Sequence, residues 1–225
     1  MNTRMNGMAS EAAHQFIVIE GPIGVGKTSL ARRLCASLSA QGVLEEGAQN
    51  PFLERFYRNQ RAAALPTQLY FLLQRAQQLA ALQQQDLFGS VRVADYLLEK
   101  DRLFAKVTLD QAEYRLYEQV CAKLDIHPPK PDLVVYLQAP VDVLLERIAK
   151  RGVAYEQYIE RAYLERLNEA YARFFHEFEA APLLIVNAAS IDPINNHADY
   201  DELLAAIRRM KRGRLYYNPL RSRGI

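Results

Sequence analysis

The sequence predicts an α/β fold in which one doubly wound, parallel sheet of five strands is covered by helices on both faces. Two features lead to this prediction. Short apolar runs rich in Val, Ile and Leu alternate with longer stretches whose apolar residues recur at helical spacing. Most of the short runs show no polar alternation, which is typical of parallel strands that are buried on both faces.

The first predicted elements are a strand, a helix and a second strand. The apolar run Phe16–Glu20 is a buried strand, and a Gly-Pro pair ends it. From Lys27 leucines follow a helical period, which predicts a helix that Gly42 ends. A second short strand is predicted at Val43–Leu44.

The middle of the chain is predicted to be mainly helical. Pro51–Tyr57 indicates one or two helical turns, and Pro66 opens a long helix to about Gln85, since proline is tolerated in a first turn. A third strand is predicted at Ser90–Asp95, and a further helix at Leu109–Leu124.

The last third alternates again between strands and helices. Leu133–Leu137 and Leu183–Val186 are the fourth and fifth strands. Helices are predicted at Pro140–Arg151, Ile159–Glu179 and Asp199–Met210. In the second of these helices the predicted core residues are Leu164, Leu167, Tyr171, Phe174 and Phe178.

The chain of 225 residues fits one domain, and no linker or repeat divides it. We expect residues 1–15 to be a disordered extension, residues 16–212 to form the domain, and residues 213–225 to be a solvated tail.

The composition limits the classes of function. With 28 Lys and Arg against 26 Asp and Glu, the net charge of +2 is too small to indicate a nucleic-acid-binding surface. The four His are scattered, and the two Cys cannot form a disulfide framework or a zinc site. The N-terminus lacks the apolar core of a signal peptide, and no apolar run approaches ~20 residues. We expect a cytoplasmic protein that binds neither nucleic acid nor membranes.

Residues 21–28, Gly-Pro-Ile-Gly-Val-Gly-Lys-Thr, match the Walker A pattern between a predicted strand and a predicted helix. Glycines let backbone N–H groups face phosphate oxygens, and the helix N-terminus adds its positive end. This loop predicts a nucleoside triphosphate site and the P-loop NTPase fold. The predicted phosphate-binding residues are Gly21, Gly24, Val25, Gly26, Lys27, Thr28 and Ser29.

Beyond this loop, the chain resembles the deoxyribonucleoside kinase family from about Phe16 to Asp192. It is most similar to the bacterial branch that phosphorylates deoxyadenosine or deoxyguanosine. The order and spacing of several short motifs carry the resemblance. These motifs are Glu20–Thr28, Asn50–Leu53 with Phe56 and Tyr57, Gln68 with Arg75, Asp95–Ala105, and Arg147–Gly152 with Glu156 and Gln157.

The resemblance implies roles for residues that bind the nucleoside. Glu45 is the expected base for its 5′-hydroxyl, with Glu46 as a substitute because the proline that follows the family acid is missing. The expected substrate-binding residues are Tyr57 and Glu156 on the 3′-hydroxyl, Gln68 on the base edge, Arg75 and Asp101 as a charged pair beside the base, and Phe104 stacked on it.

The resemblance also implies the residues of phosphoryl transfer. Lys27 neutralises the β- and γ-oxygens, while Arg147 and Arg151 belong to a lid over the transferred group. Thr28 and Asp95 are the expected ligands of Mg²⁺.

Two positions depart from the family pattern. The acid-Arg-Ser triplet of the family is Asp95-Tyr96-Leu97 here, and a third lid arginine is Val153. We expect Arg102 or a lid arginine to supply the charge that is lost at Tyr96.

The implied function is transfer of the γ-phosphoryl group of ATP to the 5′-hydroxyl of a deoxynucleoside, with Mg²⁺ as cofactor and a purine base preferred. A thymidylate-type monophosphate kinase is an alternative, since Arg55, Arg58 and Arg61 offer charge for an acceptor phosphate. A non-catalytic nucleotide sensor is another. The family also implies a homodimer paired through the long helices predicted at Pro66–Gln85 and Leu109–Leu124.

Overall fold

A computed structural model describes residues 14–84 and 90–219. In these residues six parallel strands form one sheet in the order β2-β3-β1-β4-β5-β6. The strands are β1 (Phe16–Glu20), β2 (Gln41–Val43), β3 (Arg92–Ala94), β4 (Leu133–Gln138), β5 (Leu183–Asn187) and β6 (Arg214–Tyr217).

Helices follow the strands along the chain. They are α1 (Lys27–Leu38), α2 (Leu53–Arg58), α3 (Gln60–Gln84), α4 (Glu99–Thr108), α5 (Gln111–Leu124), α6 (Val141–Arg151), α7 (Arg161–His176) and α8 (His197–Arg209). Two 3-10 turns lie at Gly47–Gln49 and Ala154–Tyr158. No helix within these two described segments is long and apolar enough to cross a membrane.

The core lies around β1 and β4, where successive residues are buried. Burial of neighbouring positions means that both faces of the sheet are covered, which confirms the predicted fold class. β1 lies between β3 and β4, so the chain order reverses at β1 and a crevice opens beyond its carboxyl end. The loops after β1, β2 and β3 all leave the sheet at this edge.

Some elements differ from those predicted. The segment expected to be a solvated tail contains β6, which pairs with β5 and makes a sixth strand. α4 was not predicted, and α3 begins at Gln60 rather than at Pro66, which lies inside it. Asn59 explains the earlier start, because its backbone is extended and its side chain accepts a hydrogen bond from the backbone N–H of Ala62.

Smaller differences concern caps and core positions. α1 ends at Leu38 and is capped by Ser39, which has a left-handed backbone, and Gly42 lies in β2 instead of ending the helix. α7 ends at His176 rather than at Glu179. Of the predicted core residues, Leu164, Leu167 and Tyr171 are buried, whereas Phe174 and Phe178 are only partly buried and Phe175 is fully buried instead. The expected extension lies outside the described residues except for its last two positions.

Candidate active site

The loop between β1 and α1 forms a phosphate cradle that requires glycine. Gly21 has φ +149° and Gly24 has φ +84°, values that L side chains rarely adopt. A Cβ on Gly21 would lie 2.5 Å from the carbonyl oxygen of Leu137, so a larger residue does not fit there. Lys27 donates hydrogen bonds from Nζ to the carbonyl oxygens of Gly21 (2.8 Å) and Pro22 (3.1 Å). The loop therefore curls around the lysine ammonium.

A buried carboxylate at the end of β1 accepts a hydrogen bond from the first residue of this loop. Glu20 Oε1 accepts hydrogen bonds from the backbone N–H of Gly21 (2.8 Å) and from the hydroxyl of Tyr171 (2.9 Å). Its Oε2 accepts one from the backbone N–H of Leu97 (2.9 Å). Glu20 was not among the predicted site residues, although an acid in an otherwise apolar strand is a signal for a functional role.

A chain of hydrogen bonds joins α1, the loop after β3 and the loop after β2. The hydroxyl of Thr28 donates to Asp95 Oδ2. Asp95 Oδ1 accepts a hydrogen bond from the backbone N–H of Glu45 at 2.7 Å. The two predicted metal ligands are thus in contact, and they fix the backbone of the predicted base.

Glu45 is held by two cations on different helices. Its Oε1 accepts a hydrogen bond from Arg75 Nη2 on α3, and its Oε2 accepts one from Lys100 Nζ on α4, both at 2.7 Å. Burial would raise the pKa of Glu45, but the charges of Lys100 and Arg75 outweigh it and lower the pKa to about 2. The carboxylate is therefore ionised and has the correct state to accept a proton.

Most of the predicted site residues line one cavity of about 290 Å³. From the phosphate side they are Gly24, Lys27, Thr28, Glu45 and Arg151, and from the nucleoside side Tyr57, Gln68, Arg75, Asp101, Phe104 and Glu156. The cavity lies beside the cradle, so groups for a phosphate and for an uncharged acceptor share one space.

Tyr57 and Glu156 both line this cavity. Burial raises the pKa of the Tyr57 hydroxyl well above its usual range, and the negative charge of Glu156 adds to this effect, so Tyr57 is a neutral phenol. The ring of Tyr57 stacks on Tyr155 with centroids 6.1 Å apart. Arg151 donates to Glu156 Oε2 from Nε (2.8 Å) and Nη2 (2.7 Å). A lid arginine and a predicted sugar-binding carboxylate are therefore paired.

Aromatic and polar side chains also belong to the cavity wall. Phe104 and Phe71 both line it, and Phe71 was not predicted. Arg75 forms an ion pair with Asp101, which is only 2% exposed. Asp101 lines the cavity, and its Oδ2 is a buried acceptor that has no hydrogen-bond partner among the described residues.

Several predicted residues lie elsewhere. Arg147 donates to the carbonyl oxygens of Val25 (3.1 Å) and Ala188 (2.7 Å), and it does not line the cavity. Val25, Gly21 and Gly26 shape the loop from outside the cavity wall, and Ser29 is exposed on α1. Glu46 is exposed and accepts a hydrogen bond from Gln49.

The charge expected from Arg102 at the site is absent. Its side chain is 60% exposed and pairs with Glu118 at 3.3 Å, away from the cavity. Lys100, which sequence reasoning missed, is the α4 cation that reaches Glu45. The one signal for Lys100 in the sequence was its position two residues before Arg102, and the helix that carries both residues was not predicted.

Comparison with known proteins decides the family. The family model for deoxynucleoside kinases matches residues 17–211 of the chain. The chain belongs to the deoxynucleoside kinase family. This deoxynucleoside kinase is therefore an enzyme that phosphorylates deoxynucleosides.

Individual relatives are similar along nearly the whole domain. A deoxyguanosine kinase of Bacillus subtilis (strain 168) is 33% identical over 200 residues, which cover 87% of this kinase and 97% of the relative. A deoxyadenosine/deoxycytidine kinase of the same organism is 28% identical over 204 residues, 86% and 92% of the two chains. The structure of deoxyadenosine kinase from M. mycoides with bound dATP matches with a TM-score of 0.73 at 26% identity, covering 85% of this kinase and 98% of that chain.

Proposed function

We propose that this kinase transfers the γ-phosphoryl group of ATP to the 5′-hydroxyl of a purine deoxynucleoside. One observation carries the proposal: Glu45, ionised and held by two cations, shares a cavity with Lys27 of the P-loop and with a buried polar and aromatic wall. Relatives named for deoxyguanosine and deoxyadenosine support a purine acceptor.

Glu45 is the general base in this proposal. It accepts the proton of the 5′-hydroxyl as the hydroxyl oxygen forms its bond to the γ-phosphorus. The bond between the γ-phosphorus and the bridging oxygen breaks, and the electron pair leaves on ADP. The fixed position of the carboxylate matters more here than its basicity, because geometry decides first whether a base can act.

Lys27 and Arg151 stabilise the charge that develops on the phosphoryl oxygens. Thr28 and Asp95 offer a hydroxyl and a carboxylate in mutual contact, which is the hard-oxygen donor set that suits Mg²⁺. These two residues would hold the ion, and the ion would neutralise phosphate charge.

The acceptor is recognised by its sugar and its base. Tyr57 can donate to the 3′-hydroxyl, and Glu156 can accept from it. Phe104 and Phe71 offer aromatic faces for stacking on the base. Asp101 Oδ2 and the Gln68 amide offer hydrogen bonds to its edge, and both purines carry N–H donors for a buried acceptor.

The arginines that suggested a monophosphate kinase do not support that alternative. Of the residues that the structure describes, neither Arg55, Arg58 nor Arg61 lines the cavity. Arg58 pairs with Glu54 on the same helix, and Arg55 lies over the ring of Phe52. A nucleoside monophosphate bound in this cavity would therefore have none of these three arginines in the wall beside its phosphate.

A substrate panel tests the proposal. The kinase is given ATP, Mg²⁺ and each of the four deoxynucleosides, dTMP, or a 2′,3′-dideoxypurine nucleoside, and the products are identified by mass. We expect a purine deoxynucleoside to have the highest kcat/KM. The dideoxy compound should be at least about tenfold poorer, because it leaves Tyr57 and Glu156 without their partner. Activity on dTMP alone would overturn the proposal, and equal rates on deoxy and dideoxy compounds would remove the role of this pair.

A further inference from the structure

Lys100 is a buried lysine that the mechanism above leaves without a chemical role. It is 6% exposed, lies in the first turn of α4 and lines the acceptor cavity. Its Nζ is 2.7 Å from Glu45 Oε2 and 5.4 Å from the centroid of the Phe104 ring. Burying an ammonium is costly unless the charge is paired, so this position is unusual for a lysine.

Lys100 also lies close to the phosphate cradle. Lys27 of α1 and Lys100 of α4 line the same cavity, and Glu45 lines it as well. Positive charge concentrated in this way favours an anionic group between them.

Tyr96 and the Arg75 guanidinium over its ring are both engaged in other contacts. The hydroxyl of Tyr96 donates to Gln78 at 2.8 Å, and its ring lies under the Arg75 guanidinium, outside the cavity wall. Arg75 is already paired with both Glu45 and Asp101. Lys100 pairs with Glu45, and Glu45 is the group that becomes protonated in the proposed function.

We propose that Lys100 is a further catalytic residue, which pairs with Glu45 before the reaction and with the transferred phosphoryl group as Glu45 takes the proton. The proton moves from the 5′-hydroxyl to Glu45, so Glu45 loses its negative charge while the new 5′-phosphate lies beside it. The Lys100 ammonium then changes its partner from the neutral Glu45 carboxyl group to the charged 5′-phosphate, and it stays in the cavity. This inference rests on the proposed role of Glu45.

The experiment compares two ligands in two variants. Lys100→Met removes the charge from a side chain of similar length, and Lys106→Met is the matched control because Lys106 is exposed on the same helix. Dissociation constants of deoxyguanosine and of its 5′-monophosphate are measured by calorimetry. In Lys100→Met we expect the monophosphate to bind about tenfold or more weakly and deoxyguanosine to bind within about threefold of the unmutated enzyme. The control should change neither value.

The kinetics give a second test. We expect Lys100→Met to lower kcat about 100-fold or more with little change in KM for the nucleoside, and Lys100→Arg to recover most of kcat. If Lys100→Met does not fold, Lys100→Gln serves the same comparison, since it can still hydrogen-bond to Glu45.

Two outcomes would overturn the inference. If Lys100→Met weakened the binding of deoxyguanosine and of its monophosphate equally, Lys100 would be a structural residue. If neither dissociation constant changed, Lys100 would not contact the phosphoryl group. Failure of the proposed function is distinguished by Glu45→Gln: if that variant keeps its activity, Glu45 is not the base, whatever Lys100 binds.

Discussion

Two adjacent acids, Glu45 and Glu46, have opposite surroundings. Glu45 points into the cavity between Arg75 and Lys100, whereas Glu46 is exposed and contacts Gln49. The proline that follows the acid in the family is missing here, so the sequence did not decide which of the two glutamates takes the place of that acid. The geometry supports Glu45, because only this carboxylate of the two can reach an acceptor hydroxyl in the cavity.

We expect Glu45→Gln to lower kcat about 100-fold or more while KM for the nucleoside changes much less, because a base acts chiefly in the transition state. Glu46→Gln is the matched control and should keep kcat within about twofold. Steady-state rates with saturating ATP measure both effects. A larger loss in Glu46→Gln would assign the base to Glu46 and contradict the assignment made here.

At the scale of elements, Glu20 connects three parts of the fold. It lies at the end of β1 and accepts hydrogen bonds from the P-loop, from Tyr171 of α7 and from Leu97 before α4. The same carboxylate therefore fixes the start of the phosphate cradle and the loop that carries Asp95. Burial, and next the charge of Glu20, raises the pKa of the Tyr171 hydroxyl well above its usual range, so this phenol remains a donor.

Replacing Glu20 by Gln should destabilise the fold by about 1–3 kcal/mol, because an amide NH₂ group would face donors that now have an acceptor. We also expect a higher KM for ATP, since the P-loop would lose its support. Urea denaturation and steady-state kinetics measure the two effects. Glu146→Gln, on the exposed side of α6, is the control and should be neutral. Equal stability of both variants would show that the three hydrogen bonds do not matter.

The central strands could be predicted from the sequence, but two peripheral elements could not. β1 and β4 are continuous apolar runs, and hydrophobicity alone identifies such strands. β6 has only four residues and is mostly exposed, and its apolar run Leu215–Tyr217 is too short to reveal that it pairs with β5. α4 carries Lys100 and Asp101 on its buried side, which hides the apolar stripe that would have predicted a helix.

Only part of the site could be predicted from the sequence. The family resemblance singled out Tyr57, Gln68 and Glu156, and the structure places all three in one cavity. The partners of Glu45 come from α3 and α4, and this convergence depends on tertiary packing that spacing does not contain.

At the scale of the whole molecule, the long helices offer a face for a second copy. α3 packs against α5, and each leaves a large apolar side chain in solvent, Leu73 at 45% and Leu116 at 47% exposure. The homodimer stays a prediction. We expect light scattering to give twice the mass of 25.7 kDa, and Leu73→Glu with Leu116→Glu to give the single mass. Ile194→Glu, at an exposed site near α8, is the control. A monomer in the unmutated protein would contradict the prediction.

The contacts of Arg147 make α6 part of the rigid frame. Hydrogen bonds to Val25 and Ala188 tie this helix to the P-loop and to the loop after β5, and Gly152 ends it with φ +69°. Arg151, the last residue of this helix, pairs with Glu156 beyond Gly152. This ion pair therefore spans the helix end and connects a phosphate-side residue of the cavity to a nucleoside-side residue.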